Sequence, residues 1–168
     1  MSGVLKRWNG LRSEEAAEEI LSCCGSKAWA HGMASRRPIV DEMALLTACD
    51  QVWKSLAESD WTEAFQSHPR IGESPSSASS TQSAGWSEEE QRRVGAASED
   101  IKVALAEANR AYEQCFNRIF IVCATGKSAQ EILEILRRRL RNAQMAELHE
   151  AAEQQRLITR LRLKKWLS

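Results

Sequence analysis

Three segments of the chain carry side chains able to move protons or hold an anion. In Ser67-His68-Pro69-Arg70-Ile71-Gly72-Glu73, Pro69 fixes the backbone and Gly72 permits a tight turn. The imidazole of His68 is therefore presented from a rigid corner, the placement a general acid or base needs. Ser87 and Glu90 stand three apart, followed by Gln91. That is capping-box spacing, in which the pair satisfies two backbone donors at a helix start, and it explains both residues without any chemistry. Arg160 and Arg162 belong to a basic C-terminal run. Two residues apart on a helix they point about 200° from each other, so at most one faces a pocket that Ile158 and Leu161 help enclose, and a solvated charged face is the default for the run.

Other candidates have simpler readings. Gly126-Lys127-Ser128 suggests a phosphate loop, but that loop needs a glycine five residues before its last one, where this chain has Ile121. A glycine ahead of an N-capping Ser128 accounts for all three residues. His31 and His149 sit in polar or helical surroundings and read as solvated surface positions. The five cysteines, Cys23, Cys24, Cys49, Cys115 and Cys123, are odd in number and lack CxxC spacing. With no charged and apolar leader at Met1-Ser2-Gly3-Val4, they predict a reduced, cytoplasmic protein without structural zinc. Cys49 and Cys123 read as small buried hydrophobes. The six tryptophans are scattered, which suits packing better than a platform for bases.

These residues must be positioned by helices. A chain of 168 residues, 43% hydrophobic and 27% charged, has the size of one globular domain and is too apolar for disorder. No apolar run approaches the roughly 18 residues of a membrane span. Met43, Leu46, Cys49, Val52, Trp53 and Leu56 recur at helical steps after Asp41 and predict a helix to about Glu58. Ser13 opens an acidic helix start, and a short helix is expected through Ala28–Met33. Asp60-Trp61-Thr62-Glu63 begins one or two turns that stop near Ser67, because Pro69 disfavours helical geometry before it. The stretch 74–86, Ser-rich from Ser74 to Gly85, is expected to be a mobile loop. Helix resumes at Ser87 and continues to about Gln114, with a possible break at Gly95. Phe116–Thr125 is β-branched and aromatic without helical spacing, and one such run reads as a short extended segment in an otherwise all-α domain spanning 1–168. Ser128 and Glu131 cap a further helix carrying Ile132, Leu133, Leu136 and Leu140. After Asn142 comes a long basic C-terminal helix.

The segment His68–Glu73, with Arg37-Pro38 and Trp61-Thr62-Glu63-Ala64-Phe65 upstream, resembles the 2-oxo-4-hydroxy-4-carboxy-5-ureidoimidazoline (OHCU) decarboxylase family of urate breakdown. Ser87-x-x-Glu90-Gln91 is similar to the family's second signature. Tyr112-Glu113 through Phe116, Phe120-Ile121-Val122-Cys123, Gly126-Lys127-Ser128, Arg139-Leu140-x-Asn142, Glu147-Leu148 and Arg162-Leu163 follow in the family's order. The resemblance runs from about Ala16 to Leu167. It implies a compact all-helical fold, usually a homodimer, that removes CO2 from OHCU to give (S)-allantoin without metal or organic cofactor. It further implies that His68 is the catalytic acid or base, that Glu90 with Ser87 and Gln91 contacts the ureido and ring groups, and that Arg162 binds the substrate. Pro69 and the backbone of Phe120, Ile121, Val122, Cys123 and Ala124 would complete the pocket. Two departures stand out: Arg92-Arg93-Val94 replaces the common Ala-Gly-Leu, and Asn117 stands where Gly is frequent.

The chemistry suits this inventory. Loss of CO2 leaves an electron pair that an adjacent imine of the substrate accepts, so pyridoxal phosphate or thiamine is not required. The protein must supply a cation for the oxyanions, hydrogen bonds to the ureido arm and a proton on one ring face. The competing reading is a helical module whose basic C-terminal helix grips nucleic acid or an acidic protein. From Arg137 to Ser168 nine Arg or Lys face three Glu, although the whole chain has net charge 0. That asymmetry leaves the two signatures unexplained, and the overall neutrality gives weak non-specific affinity for nucleic acid, so neither nucleic acid nor membrane is expected as partner.

Overall fold

A computed structural model describes residues 2–71 and 97–168. Among the described residues there are eight helices and no strand: α1 (Gly3–Asn9), α2 (Ser13–Cys24), α3 (Lys27–Ala34), α4 (Glu42–Ser55), α5 (Glu58–Gln66), α6 (Glu99–Phe116), α7 (Ala129–Arg139) and α8 (Gln144–Leu167). The all-α expectation holds. Two compact units are present, Met1–Ala64 with Arg156–Ser168, and Phe65–Gln155.

In the first unit, α1 has no counterpart in the sequence expectations; the Ser2 hydroxyl caps it by accepting from Leu5 N at 3.2 Å. Asp41 caps α4 by accepting from Ala44 N at 2.7 Å. That helix stops at Ser55 rather than near Glu58, because Leu56 turns extended and the Asp60 carboxylate accepts the Ala57 N–H at 3.1 Å, opening α5 two residues ahead of Asp60. Trp8, Trp29, Ile20, Met33, Leu45 and Trp53 form the core. Trp8 donates its indole N–H to Ala16 O, and Trp166 meets it edge-on with ring centres 5.7 Å apart. Arg37 stacks over Trp8 and donates to the carbonyls of Trp8, Leu11 and Ala34. Gly32 lets α3 approach α4, since a Cβ there would lie 2.6 Å from Val52 Cγ1.

In the second unit, α6 runs two residues past Gln114, so Phe116 is helical and the irregular stretch begins later than expected. Asn117 ends the helix at φ +52°, a left-handed geometry that asparagine tolerates better than most other side-chain-bearing residues. Residues 119–124 have no regular structure, and Phe120–Ala124 is buried throughout. Ala124 to Lys127 form a turn closed by Lys127 N donating to Ala124 O, with Gly126 at φ +81° in the position that requires positive φ. Ser128 and Glu131 then make both bonds of a capping box. Phe120, Val122 and Ala124 pack with Leu105, Tyr112, Phe116, Ile132, Leu133 and Leu136. The loop expected over 74–86 and the helix start expected at Ser87 lie outside the described residues.

Candidate functional site

His68 stands two residues beyond α5, half-buried, with Pro69 next to it also half-buried. Its Nε2 lies 2.7 Å from the side-chain oxygen of Gln155, a fully buried residue of α8. The neighbouring Gln154 accepts the backbone N–H of Cys123 at 2.9 Å. Two adjacent glutamines of one helix therefore hold the imidazole and the buried 120–124 backbone, two groups that the family resemblance implies would line one pocket. Arg70 is fixed outward, forked onto Glu113 at 2.6 and 3.1 Å.

Behind the 120–124 segment lies a buried charge network. Arg139 and Glu147 are both fully buried, joined at 2.5 Å through Nη2 and at 2.9 Å through Nε. Arg139 Nη1 donates to Ile121 O at 2.6 Å, and its guanidinium lies 4.6 Å from the centre of the Phe120 ring. Glu147 also accepts from the Tyr112 hydroxyl at 2.5 Å and from Asn142 at 2.9 Å. Burial, and then the bond to Glu147, push the Tyr112 phenol above its usual range, so it remains a neutral donor. Lys127 Nζ donates to Cys123 O at 2.9 Å. Ile121 O, Cys123 N and Cys123 O are each paired with a long polar side chain, which offsets part of the cost of burying an irregular stretch without strand pairing.

Arg162 belongs to the first unit, buried on α8 with only 3% exposure. Burial pushes up the thiols of Cys23 and Cys24, that of Cys24 to about 12; the charge of Arg162 partly eases Cys23, and Ser26, Thr159 and then Arg162 partly ease Cys24. Arg160 points elsewhere, as the helical separation requires, but it is no free surface charge. It pairs with Asp50 at 2.6 Å, and Arg156 pairs with the same carboxylate at 2.8 Å. The default of a solvated basic face is corrected accordingly. Lys164 lies 3.9 Å from Glu42, Arg138 is bound to Glu150, and Arg139 to Glu147, so much of the C-terminal positive surplus is consumed by carboxylates. His31 and His149 are exposed as expected, and Cys49 and Cys123 are buried. Ser87, Glu90 and Gln91 lie outside the described residues.

Gln154 and Gln155 were missed by reasoning from sequence. The Glu153-Gln154-Gln155-Arg156 run reads as solvated, and only the helical phase with buried Ala151, Ala152, Ile158 and Thr159 signals that Gln155 faces inward. Among the described residues no three His, Cys, Asp or Glu side chains gather as a metal site requires, and no helix is long and apolar enough to cross a membrane.

The OHCU decarboxylase family model matches residues 9–164. The chain is 37% identical over 156 residues to the uric acid degradation bifunctional protein TTL of Arabidopsis thaliana, covering 92% of this chain and 48% of that protein. It is 24% identical over 162 residues to a uric acid degradation bifunctional protein of Bacillus sp. (strain TB-90), covering 95% of this chain and 31% of the other. The chain thus spans half or less of the curated relatives it matches. A solved OHCU decarboxylase, crystallised in the presence of (S)-allantoin, superposes with a TM-score of 0.76 at 33% identity, covering 88% of this chain and 96% of that one. An (S)-allantoin synthase structure shares the fold, with a TM-score of 0.73 at 16% identity over 98% of this chain and 53% of that one. The family model thus spans nearly the whole chain, and the chain belongs to the OHCU decarboxylase family.

Proposed function

We propose that this chain catalyses decarboxylation of OHCU to (S)-allantoin, in the cytoplasm, as a homodimer of single-domain subunits and without metal or organic cofactor. The observation that carries the reading is the near full-length likeness to an OHCU decarboxylase solved with (S)-allantoin present. The span of the family match across both compact units supports treating 1–168 as one working domain.

In this reading the bond between the ring carbon and the carboxylate breaks, CO2 leaves, and the electron pair moves into the adjacent imine. A ring carbon is then protonated on one face, which gives one hand of allantoin where the uncatalysed reaction gives a racemate. His68 handles the proton, Arg162 holds the substrate oxyanions, and Glu90 with Ser87 and Gln91 fixes the ureido arm. Pro69 and the backbone of Phe120–Ala124 shape the pocket. The binding-module alternative draws no support from the C-terminal helix, whose Arg156 and Arg160 are engaged by Asp50.

The test supplies freshly generated OHCU to the purified chain with a chelator present and follows allantoin by circular dichroism. Accelerated formation of the S enantiomer is expected, and His68→Ala should lower kcat by about 10²-fold or more while remaining folded. A racemic product at the uncatalysed rate would refute the activity; near-normal turnover in the folded variant would remove His68 from the mechanism.

A further inference from the structure

We propose that Gln155 is a positioning residue that fixes the tautomer of His68, so that the proton exchanged with substrate travels through Nδ1. A neutral imidazole has one N–H and one lone pair, and its neighbours decide which nitrogen carries which. Here the group at Nε2 is an amide oxygen 2.7 Å away, and an oxygen acceptor at that distance demands a proton on Nε2. The lone pair of the neutral ring is then on Nδ1, and the imidazolium releases its transferable proton from that same atom.

The amide is well placed to impose this. Gln155 is fully buried on α8, between turns carrying Ala151, Ala152, Ile158 and Thr159, all buried as well. A donor facing a buried amide oxygen is favoured over a lone pair facing it, so the contact selects the Nε2–H form. Gln154, next in sequence, binds Cys123 N, which locks the helical phase of this turn and with it the direction of Gln155. An uncharged acceptor also differs from a carboxylate: it orients the ring without stabilising the imidazolium by a full charge, so the ring can both take up and give back a proton.

The catalytic consequence rests on the proposed role of His68, whereas the tautomer does not, and the experiment reads the two separately. Protein labelled with 15N-histidine is examined by long-range 1H–15N correlation at a pH where the ring is neutral. His68, assigned by its loss in His68→Ala, should be the Nε2–H tautomer. Gln155→Leu, close in volume but without an acceptor, should give a mixture or the Nδ1–H form. Gln155→Glu, which keeps an acceptor oxygen, should retain Nε2–H in the neutral ring and raise its titration midpoint. In kinetics, Gln155→Leu should lower kcat about tenfold with KM changed less than about threefold, and Gln155→Glu should recover part of the loss. A wild-type His68 in the Nδ1–H form, or an unchanged tautomer in Gln155→Leu, overturns the proposal. If the tautomer behaves as expected while His68→Ala retains full turnover, the catalytic role of His68 fails and the positioning by Gln155 stands. Should Gln155→Leu fail to fold, Gln155→Met provides the same readout.

Discussion

Replacing Arg139 by methionine tests what holds the buried 120–124 segment. The substitution keeps an apolar stem against Phe120 and removes the guanidinium. Glu147 then loses two of the three donors on its Oε1, keeping Tyr112 there and Asn142 on Oε2, while Ile121 O loses its bond at 2.6 Å. Removing one partner of a fully buried pair costs about 3–5 kcal/mol, most of it from the charge left behind. For a protein of this size that corresponds to a Tm lowered by about 6–20 °C. The assay is denaturant unfolding with thermal melts on Arg139→Met, Glu147→Leu and the double variant. The double variant should lie closer to wild type than the sum of the singles, since it buries no orphaned charge. Single variants each within about 1 kcal/mol of wild type, or strict additivity, would refute the argument that the network acts as one buried unit.

The two C-terminal arginines should separate in kinetics: Arg162→Ala should lower kcat/KM by about 10²-fold, with Arg162→Lys recovering only part because an ammonium lacks the planar fork. Arg160→Ala should leave turnover unchanged and cost about 0.5–1 kcal/mol in unfolding experiments, since Asp50 keeps Arg156. Stability should fall in alkali. Burial raises the thiols of Cys23, Cys24 and Cys49 and the phenol of Tyr112, so each contributes fully below its unfolded pKa, near 8.5 for a thiol, and progressively less as pH rises toward the folded value. Melts from pH 8 to 11 should show this slope, which should be shallower by about 1.4 kcal/mol per pH unit in Cys24→Ala; an unchanged slope would count against it. Ser128→Ala should destabilise by about 0.5–2 kcal/mol through loss of the capping box, read from the urea midpoint.

What the sequence reveals follows the range of the interactions. Asp41 and Ser128 announce their helices because a cap bonds three residues away, and Pro69 places His68 beyond a helix end for equally local reasons. α1 has only seven residues, too few to show periodicity. The pairing of Arg160 with Asp50 joins positions 110 residues apart, and the bond between His68 and Gln155 spans 87, so no local pattern encodes either one. The rigid corner marks His68 and the family resemblance selects Arg162, but neither reveals the glutamine behind the ring, because a polar residue on α8 looks the same whether it meets water or a partner.

The inward polar residues of α8 also work as an index. A helix lined with leucine can slide or roll by a fraction of a turn and still bury its stripe. Glu147 and Gln154, seven residues or about 10.5 Å apart along the axis, fit fixed partners, Glu147 the Arg139 guanidinium with Tyr112 and Asn142, and Gln154 the Cys123 amide. One added residue between them would rotate the second by about 100° and shift it by about 1.5 Å, so Glu147 and Gln154 could not both be seated. Insertions within Leu148–Glu153 should therefore be tolerated far less than insertions before Gln144, in the turn between α7 and α8.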